Sequence, residues 1–185
     1  LDDQKEKVMN QQYRFGLFVL LALVQLYFPG KMVYDSNKVL WLGQAFKFET
    51  RPVDPADPFR GRYVALNFAA TQFEAPAESA WQRNETVFVL LETDAAGYAK
   101  IKGLSRSKPA QQEAYVSAKV SYVWKNQVTL FYPFSRFYME EGKAQKAEII
   151  YRRVNAGYAL VKVYKGEAVL EDVLVKGKSL RELAR

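Results

Sequence analysis

The chain has 185 residues, 49% of them apolar and 15% aromatic, which is enough for one domain with a substantial core and too apolar for wholesale disorder. It contains no Cys and no His, which excludes disulfides, Cys/His zinc sites, His-ligated haem and Ser-His or Cys-His nucleophile pairs. The net charge of +7 comes from scattered Lys and Arg, without a glycine-rich phosphate loop or a dense basic run. It reads as a solvated surface, with anionic lipid as the second reading, and no nucleic-acid partner is expected.

The first element is apolar. "FGLFVLLALVQLYF", Phe15 to Phe28, carries no charge and one amide, Gln25. It is about 14 residues long, and extension through "PGKMVY" to Tyr34 reaches the roughly 20 that cross a bilayer. Lys31 can snorkel, and Tyr13, Tyr27, Phe28 and Tyr34 lie where interfacial aromatics sit. Apolar residues all the way round argue against a buried core helix, and no small-x-small site follows to mark a cleaved signal peptide. The expected organisation is a tail over 1–13, a transmembrane anchor over 14–34 ended or kinked by Pro29-Gly30, a linker over 35–44 and a β-rich domain over 45–185. Lys5, Lys7 and Arg14 on one side and Lys31, Lys38 and Lys47 on the other leave orientation unsettled by charge. A short tail before a long domain favours the N-terminus inside and the domain outside.

Within 35–44 a short helical turn over Val39–Leu42, ended by Gly43, is expected. "AFKFET" alternates as a half-buried strand with Phe46 and Phe48 on one face. "RPVDPADP" cannot be regular structure, because each Pro removes a donor and holds its predecessor extended. Asp54 and Asp57 there could approach a hard cation, but a calcium loop needs more oxygen ligands, so they read as turn formers and no metal is expected. "YVALNF" reads as one strand with Val64, Leu66 and Phe68 inward and Tyr63 on the opposite face. A polar loop over Ala69–Glu85, a strand over Thr86–Glu92, a turn at Gly97 and a returning strand "YAKIK" follow. After the basic loop "GLSRSKPAQQE", the strand "AYVSAKVSYVW" puts Val116, Ala118, Val120, Tyr122 and Trp124 on one face. Lys125-Asn126 turns it into "QVTLFY", a hairpin.

"EEGKAQKAEIIYRRV" is the one internal helix, about Glu141 to Arg153, with Ala144, Ala147, Ile150, Tyr151 and Val154 on one face and Glu148 and Arg152 spaced for an ion pair. "YALVKVY" and "AVLEDVLV" flank a Lys165-Gly166-Glu167 turn, Lys176-Gly177-Lys178 is another, and "SLRELAR" is a terminal helix. About eight short strands and one helix predict a mainly β barrel or sandwich with the helix packed on it.

Two constellations carry candidate chemistry. A Ser/Lys hydrolase would use Ser36 after the anchor with Lys100 or Lys102 as a desolvated base. That layout is similar to type I signal peptidases, but Ser36 lies in "DSNK" rather than Ser-Met-x-Pro, and the Gly-Asp-Asn box is missing. The second is "SRFYMEEG", Ser135 to Gly142, where Arg136, Tyr138, Glu140 and Glu141 crowd a strand-to-helix junction. They read either as a binding surface, or as acidic groups favouring the helix N-terminus with Arg136 answering them.

"VDPADPFRGRYVALNF" resembles the signature of the GDYXXLXY family, with Gly61, Tyr63 and Leu66 matching, Arg62 where the motif has Asp, and Phe68 where it has the last Tyr. "RFYMEEGKAQKAE" is similar to the family's second motif at Arg136, Tyr138, Glu141, Gly142 and Glu148, and the C-terminal hairpin segment is also similar. The resemblance implies a membrane-anchored bacterial protein with an extracytoplasmic domain and no established activity, accompanying a polytopic membrane protein. Arg62 argues against acid, base or metal chemistry at the first motif. The expectation is a non-catalytic accessory protein without a cofactor, docking through Gly61, Arg62, Tyr63, Leu66, Phe68, Arg136, Tyr138, Glu141 and Glu148. The alternatives are the Ser/Lys hydrolase and a periplasmic ligand-binding module.

Overall fold

The computed structural model describes residues 2–51, 63–110, 112–154 and 157–185. Two compact units divide the chain, Leu1–Lys38 and Val39–Arg185.

The first unit is helical. Helix α1 runs Asp2–Leu42 with Pro29 inside it, so the helix does not stop at Pro29-Gly30. Proline takes one hydrogen bond from the ladder, and a long apolar helix continues past that single loss. Between Tyr13 and Leu42 it is long and apolar enough to cross a membrane, its most apolar 18 residues having a mean hydropathy of 1.7 and none of them buried. Lys31 pairs with Asp35 one turn on, inside the same stretch. The 35–44 linker of the sequence reading is corrected: residues 35–42 are the last turns of α1, and only Gly43 separates it from the first strand.

The second unit begins on that last turn. Val39 is buried, Gly43 N–H donates to the Val39 carbonyl at 2.9 Å, and β1 (Gln44–Arg51) follows. Alternation in β1 is strict, with Phe46, Phe48 and Thr50 inward. Beyond it come β2 (Tyr63–Ala65), β3 (Asn67–Phe68), β4 (Gln72–Glu74), a 3₁₀ turn (Ala77–Ser79), β5 (Thr86–Thr93), β6 (Ala99–Ser105), β7 (Tyr115–Trp124), β8 (Gln127–Phe131) and β9 (Arg136–Tyr138). Helix α2 (Glu141–Val154), β10 (Gly157–Tyr164), β11 (Glu167–Val175), β12 (Lys178–Ser179) and α3 (Leu180–Leu183) complete the chain.

All pairings within the sheets are antiparallel. One sheet runs β12-β11-β10-β1-β3, a second β4-β8-β7-β5-β6, and β2-β9 forms a ribbon. Bridges Lys47–Tyr98 and Val116–Gly166 tie the large sheets together. Their inner faces share one core, giving a β-rich region with a nearly closed five-strand barrel and a short helix, as the strand pattern predicts. At its centre Phe48 meets Phe68, Tyr132 and Phe134 edge-on, with ring centroids 5.6, 5.5 and 5.1 Å away. The Tyr132 hydroxyl donates to the Ala70 carbonyl at 2.7 Å, and burial pushes its pKa well up. A phenol so enclosed keeps its proton because the phenolate would lose its hydration.

Helix α2 packs on β2 and α3 with Ala144, Ala147 and Tyr151 buried, the face expected from their spacing. Small side chains there let the helix approach closely. Glu148 and Arg152 form the expected ion pair at 2.6 Å. Lys165-Gly166 and Lys176-Gly177 are two-residue turns with positive φ at both positions, which suits the twist of the hairpins they close.

Three strand readings are corrected. "YVALNF" is two strands: β2 pairs with β9 and β3 with β1, parting at Leu66, although Val64, Leu66 and Phe68 are all buried as expected. The 69–85 loop contains β4, which pairs with β8. Tyr122 and Trp124 are exposed rather than inward, because the β7–β8 register slips between Val120 and Tyr122. That bulge inserts one residue and reverses the facing of everything after it.

Candidate functional site

The two motif segments, separated by about seventy residues of sequence, meet in space. Strands β2 and β9 pair with Tyr63 opposite Tyr138, Val64 opposite Phe137 and Ala65 opposite Arg136. The backbone adds a further link where Leu66 N–H donates to the Ser135 carbonyl at 2.9 Å. Alternation then sorts the side chains. Val64 and Phe137 point into the core, whereas Tyr63, Arg136 and Tyr138 share the outer face.

On that face the three groups form a stack. The Tyr63 and Tyr138 ring centroids are 5.6 Å apart, and the Arg136 guanidinium lies over Tyr63 at 5.1 Å. The Tyr138 hydroxyl, and Tyr63 after it, favour the charged guanidinium and raise its pKa. Arg136 and Tyr138 are exposed and Tyr63 is half-buried. Beside them a cleft of about 300 Å³ runs between Tyr63, Phe68, Phe131, Tyr132 and Arg136. Arg181 of α3 lies over Phe137 from the other side, at 4.9 Å. Arg181 thus covers the inner side of the ribbon, and Arg136 and Tyr138 stay exposed on its outer side.

This arrangement suits recognition. A planar cation stacked on tyrosines presents an apolar ring face and hydrogen-bond donors together, the residue types enriched at binding hot spots. The sequence reading had Arg136 answering Glu140 and Glu141. Instead Glu140 pairs with Lys143 at 2.7 Å, which holds its carboxyl below the usual range, and Arg136 belongs to the tyrosines. Glu148 is engaged by Arg152 within α2, and Glu141 opens that helix. Leu66 and Phe68 are core residues that fix the ribbon from beneath. Gly61, Arg62, Asp54 and Asp57 lie outside the described residues.

The hydrolase residues are not arranged for that chemistry in the second unit. Lys100 is 67% exposed and 3.9 Å from Glu92, and Lys102 is 56% exposed and 3.4 Å from Glu113. A lysine base depends on desolvation, and both side chains stand in solvent. Arg106, from the basic loop, has a structural task. It donates to Glu85 at 2.6 Å and to the Ser79 carbonyl at 2.7 Å, lies over Trp81 at 4.2 Å, and holds the Glu85 carboxyl below its ordinary range. Among the described residues no group of three or more acidic side chains is placed to hold a metal ion.

Sequence reasoning missed Phe131, Tyr132 and Arg181. The aromatic run around Pro133 was the available signal for the first two, and Arg181 reaches the site only through tertiary packing. No curated protein and no solved structure matches the chain. The GDYXXLXY protein family model matches residues 25–173, which takes in the C-terminal part of α1, both motifs and nearly all of the β10–β11 hairpin. The chain belongs to the GDYXXLXY family.

Proposed function

We propose that this is a non-catalytic accessory protein, held in the bacterial inner membrane by α1, whose periplasmic β domain docks on a multi-pass membrane protein. The observation that carries the reading is the β2–β9 ribbon. Two motifs remote in sequence are paired so that Tyr63, Arg136 and Tyr138 stand together on one accessible face while the opposite face is locked into the core. The anchor reading is supported by the apolar stretch Tyr13–Leu42, whose 30 residues make about 45 Å of helix, more than the roughly 30 Å of bilayer hydrocarbon. Gln25 and Gly16, both exposed on that helix, offer a polar group and a close-approach point to neighbouring spans.

Purification of the full chain in mild detergent tests the docking. A stoichiometric partner with several membrane spans should be recovered, and Tyr138→Ala together with Arg136→Ala should release it without lowering the melting temperature appreciably, both side chains being exposed. A partner-free wild-type chain would sink the proposal. Orientation has its own test. The chain lacks Cys, so Trp124→Cys at an exposed hairpin position gives a single thiol. It should react with a membrane-impermeant maleimide from the periplasmic side, and protection until the inner membrane is breached would reverse the topology.

A further inference from the structure

The cleft of about 300 Å³ beside the ribbon owes its opening to one small residue. Ala65 stands opposite Arg136 in the β2–β9 register, yet the Arg136 guanidinium lies over the ring of Tyr63, the previous outward position on β2. Only a methyl group is left at the Ala65 position of the lining, and β8 contributes Phe131, whose side chain is 52% exposed. The oxygens around it are already bonded within the chain. The Asn67 side chain accepts from Phe68 N–H at 3.0 Å, the Thr71 hydroxyl donates to the Phe68 carbonyl at 3.0 Å, and the Tyr132 hydroxyl donates to Ala70. No acidic residue lines the cleft, and Arg136 is the charged group in its lining.

That charge has no answer within the described residues. Arg136 makes no ion pair there, and of the second motif's acids Glu140 is held by Lys143 and Glu148 by Arg152. A guanidinium held in one plane by a ring keeps its forked donors ordered, and that fork matches a carboxylate. A sugar would bring several hydroxyls to a lining whose oxygens are already used, and a phosphate would find no second cation. The remaining surface, Ala65 and Phe131, gains from apolar cover. At about 300 Å³ the cleft is at the small end of binding pockets, room for one or two side chains. We propose that it takes an Asp or Glu side chain of the docking partner, paired with Arg136, together with a neighbouring apolar side chain that covers Ala65 and Phe131. This rests on the docking reading of the ribbon and specifies the chemistry of the partner's contact segment.

The test starts from the full chain with a benzophenone amino acid in place of Phe131, irradiated in cells and purified in mild detergent. It should yield an adduct with one segment of the partner, and that segment should contain an Asp or Glu. Changing this acid to Lys should lower partner recovery about tenfold or more, as expected when a desolvated charge pair is broken, and Arg136→Glu should do the same. The two reversals together should restore recovery, which damage to either fold could not do. Ala65→Leu, which fills the cleft and keeps the charge, should also lower recovery. Lys100→Glu, the same charge change on β6 with β7 and β5 between it and β8, should leave recovery intact. An adducted segment without an acid, a lipid or glycan adduct, no adduct, wild-type recovery by Arg136→Glu or Ala65→Leu, equal loss with Lys100→Glu, or paired reversals that restore nothing would each overturn the cleft while a recovered partner upholds the docking. A wild-type chain that recovers no partner overturns the docking, and the cleft with it.

Discussion

Gly43→Ala should be among the most damaging single-methyl changes in this molecule. A Cβ at Gly43 would lie 2.3 Å from the Val39 carbonyl oxygen, 3.1 Å from Val163 N and 3.2 Å from Lys162 Cβ. Two of those neighbours are backbone, so no side chain can swing away. Relief requires the last turn of α1 to pull back from β10, which breaks the Gly43-to-Val39 hydrogen bond and loosens Val39 from its buried seat. Forced overpacking costs about 1–3 kcal/mol and the lost bond about 0.5–1.5 kcal/mol. The sum, about 2–4 kcal/mol, lowers the melting temperature of a domain this size by roughly 4–16 °C. The matched control is Gly142→Ala, in the first turn of α2, where an added Cβ meets nothing within 4 Å. Alanine is favoured over glycine in a helix by about 0.5–1 kcal/mol, so that variant should melt higher. Thermal unfolding of both, followed by circular dichroism, gives the comparison. A Gly43→Ala protein that melts with wild type would refute the tight α1–β1 junction.

Three other outcomes follow from the site and the core. A Tyr63→Ala, Arg136→Ala double-mutant cycle in urea should give a coupling of about 0.5–1 kcal/mol, the worth of an exposed cation–π pair, and additive effects would mean that the stack contributes nothing. Phe48→Ala removes a fully buried ring held by three aromatic neighbours and should cost about 3–5 kcal/mol by equilibrium unfolding, with a cost under 1 kcal/mol contradicting the core assignment. Burial should keep Tyr132 protonated well into alkaline solution. Its folded pKa is raised, so its contribution is complete below the unfolded value of about 10 and declines as pH rises from there towards the folded pKa; Tyr132→Phe should flatten that alkaline loss in pH-dependent melts.

Local pattern carried far here, and it failed where a partner strand decides. The strict alternation of "AFKFET", the Lys-Gly turns and the alanine face of α2 are all legible because each depends on a residue's own neighbours in sequence. Tyr122 and Trp124 could not be placed, because the slip that exposes them lies in how β7 lines up with β8. The break at Leu66 is of the same kind, since the residues look like one strand until β9 and β1 claim its two halves. Pro29-Gly30 allowed an end or a kink, and of the two the end is ruled out, because the apolar helix runs on past it. At the site, motif matching singled out Tyr63, Arg136 and Tyr138 separately, while their stacking follows only from the register that puts Tyr63 opposite Tyr138.

The short junction bears on how strong the docking contact has to be. Val39 already belongs to the folded unit, and Gly43 alone separates α1 from β1 in sequence. If the proposed anchor and docking hold, a partner in the same membrane meets the β domain at an effective concentration set by the length of the connecting chain, on the order of millimolar for short links. A contact with a dissociation constant of about 1 mM, worth only about −4.1 kcal/mol, is then half occupied. A patch of two tyrosines and one arginine is modest for a soluble complex and sufficient under that condition. Insertion of a flexible Gly/Ser segment after Gly43 should therefore weaken partner recovery while leaving Tyr63, Arg136 and Tyr138 untouched, because end-to-end reach grows with linker length and effective concentration falls. Full recovery with a long insertion would mean that the ribbon binds tightly by itself.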